Sequence, residues 1–176
     1  MKYYDGQDDI ISNFKYVKEH KTGEEIFNFT KRDGYCYGNV PIRYIDGRSV
    51  ALHIERIGAD KDAMSVDEVT VVFFSRHPVK KKSYVVGWYR NAVVFRKEQR
   101  EQWQGMELKY SAKARYEDCV CVREDERCFE IPSGRVLKGG YGQGTQWYAD
   151  ADEPAITALR TRLMAYIARS SSATRP

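Results

Sequence analysis

The sequence predicts an α+β domain, a small and strongly bent β-sheet or barrel closed by one C-terminal helix over about residues 153–168. Three observations predict it. Thirteen Tyr, seven Phe and three Trp in 176 residues are the aromatic load of several strands. Runs of β-branched and aromatic residues recur between positions 35 and 123, each cut by Gly, Pro or charged turns. A single well-marked apolar stripe of helical period lies near the end of the chain. A chain of this length buries roughly two-thirds of its unfolded surface and needs no covalent staples. Neither an internal repeat nor a linker divides it, so one domain is expected over residues 1–169, with 170–176 as a disordered tail.

The elements follow in order. Lys31-Arg32-Asp33-Gly34 reads as a turn, and Tyr35 to Val40 as a short strand ending before Pro41. Residues 50–57 fit either an alternating strand or one helical turn. Val69 to Phe74 is the clearest strand, apolar enough to be covered on both faces. Ser75 to Lys82 is a polar loop in which Pro78 stops the strand. Ser83 to Arg96 is too long for one flat strand, and a corner is expected between Gly87 and Asn91. Met106–Arg115 and Glu117–Arg123 are further strands, and Phe129 to Gly134 is an exit turn. The glycine-rich segment from Gly139 to Tyr148 carries aromatics that must pack on something. Asp152 then suits a helix cap, Pro154 suits the first turn, and Ile156, Leu159, Leu163, Tyr166 and Ile167 share one stripe.

No stretch reaches the ~18–20 apolar residues of a membrane span, and residues 1–6 lack the apolar run of a secretory signal, so a cytoplasmic protein is expected. Cys36, Cys119, Cys121 and Cys128 fit reduced core thiols there. His20, His53 and His77 are scattered away from them, and no metal or other cofactor is expected.

The net charge is +4, but residues 76–100 hold eight cations against Glu98 alone. Such a stretch attracts polyanions in a salt-dependent way, although a charge run alone is more often a solvated face. The sequence has no P-loop, no GxGxxG after a strand, no HExxH and no GxSxG. Glu107-Leu108-Lys109 resembles the acidic-x-Lys half of a metal-dependent nuclease site, but no Asp lies between Val69 and Lys109 to complete it.

The binding features converge instead. A base taken out of a stack needs aromatic faces, groups for its Watson–Crick edge and cations for the flanking phosphates. Trp88 and Tyr89 offer the first, with Tyr35, Tyr37 and Trp147 as further walls. Asn91 or the backbone of Ser75 offers the second. Arg76, His77, Lys80, Lys81, Lys82 and Arg90 offer the third. Strand alternation points Trp88 and Tyr89 to opposite faces, so one is expected in the core. From spacing alone, an aromatic base cage and core aromatics beside a basic surface weigh equally.

Val71-Val72-Phe73-Phe74-Ser75-Arg76-His77-Pro78 followed by Tyr84-Val85-Val86-Gly87-Trp88-Tyr89-Arg90-Asn91-Ala92-Val93-Val94-Phe95-Arg96 resembles the EVE-like region of bacterial modification-dependent HNH endonucleases. Gly140 to Ala149 is similar to a later stretch of the same proteins. The resemblance covers about a third of the chain. It implies the PUA-like fold, a small bent barrel flanked by helices. It also implies a non-enzymatic reader that flips 5-methylcytosine or 5-hydroxymethylcytosine of double-stranded DNA into a pocket. The partner nuclease of HNH type then lies outside this chain. YTH domains share the fold, which keeps a methylated-RNA reader as an alternative. Arg76-His77-Pro78 is also similar to the loop of phosphorothioate-DNA readers.

Overall fold

In the computed structural model the described residues are 24–39, 44–45, 48–103, 105–142, 144 and 146–173. The molecule is an α+β fold: a mostly antiparallel sheet of six strands with one C-terminal helix. The strands are β1 (Tyr35–Gly38), β4 (Ser65–Arg76), β5 (Ser83–Trp103), β6 (Met106–Arg115), β7 (Cys119–Cys121) and β8 (Glu130–Ile131). A separate small pair joins β2 (Tyr44–Ile45) to β3 (Arg48–Ser49). The path β1-β6-β5-β4 stays open among the described residues, so the sheet is bent but not a closed barrel.

The long strand β5 organises everything. One flank pairs with β4 from Ser83 to Phe95. The other flank meets β8, β7 and β6 in succession. The Val69–Phe74 run, expected to be covered on both faces, lies instead on β4, which among the described residues pairs with β5 alone and whose residues there are half-buried. The expected corner exists as bulges inside this one strand. Between Val69/Val71 on β4 and Ala92/Tyr89 on β5 the register slips by one residue, and Asn91 sits there at φ 50°. Glu68, at φ 58°, marks a second slip on β4. Bulges of this kind raise local twist and bend the sheet.

Because alternate residues face opposite sides, both faces of the sheet are packed, and a further cluster forms around Leu52, Ile54, Val94 and Ala112. On one side Tyr89 packs with Phe29, Cys36, Val86, Ala92 and Ala114. On the other, Trp88 packs with Val85, Val122, Ile131 and Ile167, together with Leu163 and Tyr166 of the helix. Helix α1 (Pro154–Ala173) presents the stripe read from the sequence, with Ile156, Leu159 and Ile167 buried. The carbonyl of Glu153, not the side chain of Asp152, accepts the first helical amides, at 2.9 and 3.0 Å. The helix also runs to Ala173, beyond the start of the expected tail, since nothing in Ser170-Ser-Ser-Ala breaks it. None of the helices among the described residues is long and apolar enough to cross a membrane.

Residues 50–57 resolve into a 3-10 turn, Ile54–Ile57. Glu55 there is held by its own backbone N–H, by His53 and by Arg96 Nη1 at 2.7 Å, which together lower its carboxyl to about 2. A depressed carboxyl contributes stability above its unfolded value of ~4.3 and loses it as pH falls through the folded value. The Tm gap between wild type and Glu55→Ala is therefore expected to be constant near neutrality and to shrink to nothing between pH 5 and about 2. A gap that grew on acidification would contradict this.

Candidate nucleic-acid interface

The β4–β5 hairpin turns at residues 77–82, and its geometry is set by local chemistry. Pro78 cannot continue β4, and Lys81 adopts φ 58° to bring the chain back. His77 N donates to Lys82 O at 2.8 Å and Lys81 N to His77 O at 3.1 Å. The Nδ1 atom of His77 accepts from the backbone amides of Val79 and Lys80, at 3.1 and 3.2 Å. That assigns the imidazole proton to Nε2, leaving a donor turned away from the loop. Arg76 Nε adds a bond to Lys81 O at 3.1 Å.

Beside this loop lies a pocket of about 200 Å³ lined by Ser75, Arg76, His77, Pro78, Lys80, Tyr84, Val86, Glu124, Asp125 and Arg127. Drug-sized sites run ~300–1,000 Å³, so this one suits a single ring or a phosphate group. Its far wall comes from tertiary pairing. Strand β7 runs antiparallel along β5, Val122 N bonds Val86 O at 2.9 Å, and the chain returns at Val85 N to Phe129 O, also 2.9 Å. The excursion between these two anchors carries Glu124 to Arg127 alongside Tyr84. Arg123 grips Asp125 through Nε and Nη2 at 3.3 and 3.2 Å. The ring of Tyr84 has His77 at 6.2 Å and Lys80 Nζ at 5.5 Å from its centroid.

The residues expected to form one site fall into several places. Ser75, Arg76, His77 and Lys80 are brought together at the pocket, and Lys81 lies on the same loop. Lys82 leaves the set in part, because its ammonium pairs with Glu130 Oε2 at 2.7 Å. Arg90 and Asn91 lie further along β5, roughly 20 Å away at the rise of a strand. There both reach Asp118 Oδ1, at 3.5 and 3.3 Å. Asn91 is a bulge residue in the left-handed region that Asn tolerates, and its side chain bonds Asp118 away from the hairpin pocket.

Trp88 and Tyr89 require the plainest correction. Both side chains are 0% exposed, each in the core of its own sheet face, so this pair encloses no pocket. The Tyr89 hydroxyl donates to Asn28 O, and burial raises its pKa well above that of an ordinary phenol. Tyr37 is buried edge-on against Tyr110 at 4.9 Å, and Tyr35 lies under Lys113 Nζ at 4.4 Å, on β1 and β6 and away from the hairpin. Trp147 braces the glycine segment by donating Nε1–H to Gly139 O at 2.9 Å and packs against the Trp88 core. Glu107 pairs with Arg100 Nη1 at 3.2 Å across the β5–β6 hairpin, which makes the Glu107/Lys109 pattern part of a charged strand surface.

Tyr84, Glu124, Asp125 and Arg127 were missed. Tyr84 had a signal, since it faces Ser75 across the hairpin register. The other three had none, because only the pairing of β7 with β5 brings them there. No protein-family model, curated protein or solved structure matches this chain.

Proposed function

We propose that this chain is a DNA-binding reader. The hairpin cations hold the backbone, and the adjoining pocket takes one base turned out of the duplex. One observation carries the reading: an aromatic ring, cations, donors and acceptors converge on a single small pocket at the hairpin. Tyr84 supplies the stacking face in place of Trp88 and Tyr89. Arg76, Lys80 and Lys81 meet phosphates. The Ser75 hydroxyl and His77 Nε2–H are donors for the base edge, and the Glu124 carboxylate accepts from an exocyclic amine such as that of cytosine. The EVE-like resemblance supports 5-methylcytosine or 5-hydroxymethylcytosine as the base and a PUA-like relationship for the bent sheet. In this reading the chain itself performs no cleavage, and an HNH-type nuclease in the bacterial cytoplasm acts on what it finds.

The test is equilibrium binding to matched duplexes carrying cytosine, 5-methylcytosine, 5-hydroxymethylcytosine, 6-methyladenine or a phosphorothioate, at one stated salt. A methyl group in a fitted pocket contributes ~1–3 kcal/mol, so preference of ten- to a few-hundredfold for one duplex is expected. Tyr84→Ala should abolish that preference, with a loss of ~1–3 kcal/mol on the preferred duplex. Lys80→Ala with Lys81→Ala should weaken all duplexes alike and lower the salt slope by about two. Binding that ignores modification in the wild type would leave only a basic surface.

A further inference from the structure

Arg32 is a buried cation that no carboxylate pairs with among the described residues. It is 4% exposed, and its Nε and Nη2 atoms have no hydrogen-bond acceptor among the described residues. Its backbone is fixed by the Asp33-Gly34 turn, whose φ values of 47° and 83° and paired 2.8 Å bonds between Arg32 and Tyr35 are those of a tight two-residue hairpin. The guanidinium carbon lies 4.1 Å from the ring centroid of Trp103 and 5.0 Å from that of Phe27. Burial lowers its pKa, with nearby phenols and a thiol only partly offsetting this. Aromatic faces stabilise a cation from above and below. They cannot satisfy the N–H groups in its plane, and orphaned donors of a charged group are costly.

The same molecule shows what this edge takes. Arg56 stacks 4.5 Å over the Tyr148 ring, and its Nε and Nη2 donate to both oxygens of Asp150 at 2.7 and 2.6 Å. Arg123 offers the same two atoms to Asp125. Arg32 repeats the stacked arrangement, and among the described residues no carboxylate meets its Nε and Nη2 atoms. Planar bidentate recognition of carboxylate or phosphate is what such a fork is built for.

We propose that Arg32 anchors an oxyanion site, in which its Nε/Nη2 edge receives one carboxylate or phosphate group of a ligand between the walls of Trp103 and Phe27. This site is separate from the hairpin pocket and stands whether or not the chain reads DNA. The test is thermal unfolding of the full chain in chloride, acetate and inorganic phosphate at matched ionic strength. The wild type should gain Tm with the concentration of acetate or phosphate, and the more effective of the two identifies the class. The Lys80→Ala/Lys81→Ala variant should keep that gain. Arg32→Met should lose it, its apparent Kd weakened ~10- to 100-fold by loss of the charged hydrogen bonds. Equal gains in wild type and Arg32→Met, or no gain in the wild type, overturn the proposal. If Arg32→Met does not fold, the anion-dependent change in tryptophan emission decides. It should be present in the wild type and absent in Trp103→Phe, and its absence from the wild type or persistence in the variant overturns the site.

Discussion

Trp88→Ala should destabilise the fold by ~3–5 kcal/mol, the range for deleting a buried aromatic. Trp88 is fully buried where β5, β7, β8 and helix α1 meet, edge-on to Tyr166 at a centroid distance of 5.7 Å. Its removal leaves a cavity that neither the sheet nor the helix can close without breaking pairing with β5. Trp88→Phe should behave differently. The indole Nε1 is buried without an acceptor among the described residues. Phenylalanine removes that orphan donor, which costs ~1–3 kcal/mol when unsatisfied, and so offsets part of the lost volume. Urea unfolding of the two variants checks both statements. A Trp88→Ala protein of wild-type stability would contradict the core placement. Any loss of DNA preference in that variant should follow its loss of folded protein.

Gly87→Ala should cost about 3 kcal/mol, the upper end of overpacking penalties, because its methyl group has nowhere to go. A Cβ at that position would stand 2.4 Å from Phe29 Cζ and 2.4 Å from the Val120 carbonyl oxygen. The phenyl ring can yield a little, but the carbonyl belongs to β7, paired with β5 at Gly87↔Cys121 and Trp88↔Val120. Accommodating the methyl means peeling β7 away, and with it the excursion bearing Glu124 to Arg127. The variant should therefore lose stability and any function of the hairpin pocket together. Denaturant midpoint and DNA affinity of the same preparation measure the two. Wild-type values for both would contradict the close packing of β7 against Gly87.

Much of the fold was legible because its signals are local. The Asp33-Gly34 turn, the Val69–Phe74 run and the stripe from Ile156 to Ile167 each follow from neighbours a few residues apart. The corner near Asn91 was legible too, although its mechanism is a bulge and not a break. Sheet closure was not legible, since no pattern within a strand says which edges meet. Trp88 and Tyr89 show the same limit at the site. Alternation correctly separates them onto opposite faces, but whether each face is covered depends on Phe29, β7 and α1, which are distant in sequence. The hairpin half of the candidate site, Ser75 to Lys80, was readable from Pro78 and the charge run. Its acidic wall was not, because β7 pairing creates it.

In the proposed function one base leaves the stack and rests against Tyr84. A duplex with 2-aminopurine next to the modified base reports this directly, because its emission rises when its neighbour is extruded. A rise is expected on binding of the wild type and none with Tyr84→Ala at saturating protein. Tight binding by the wild type with unchanged emission would contradict it.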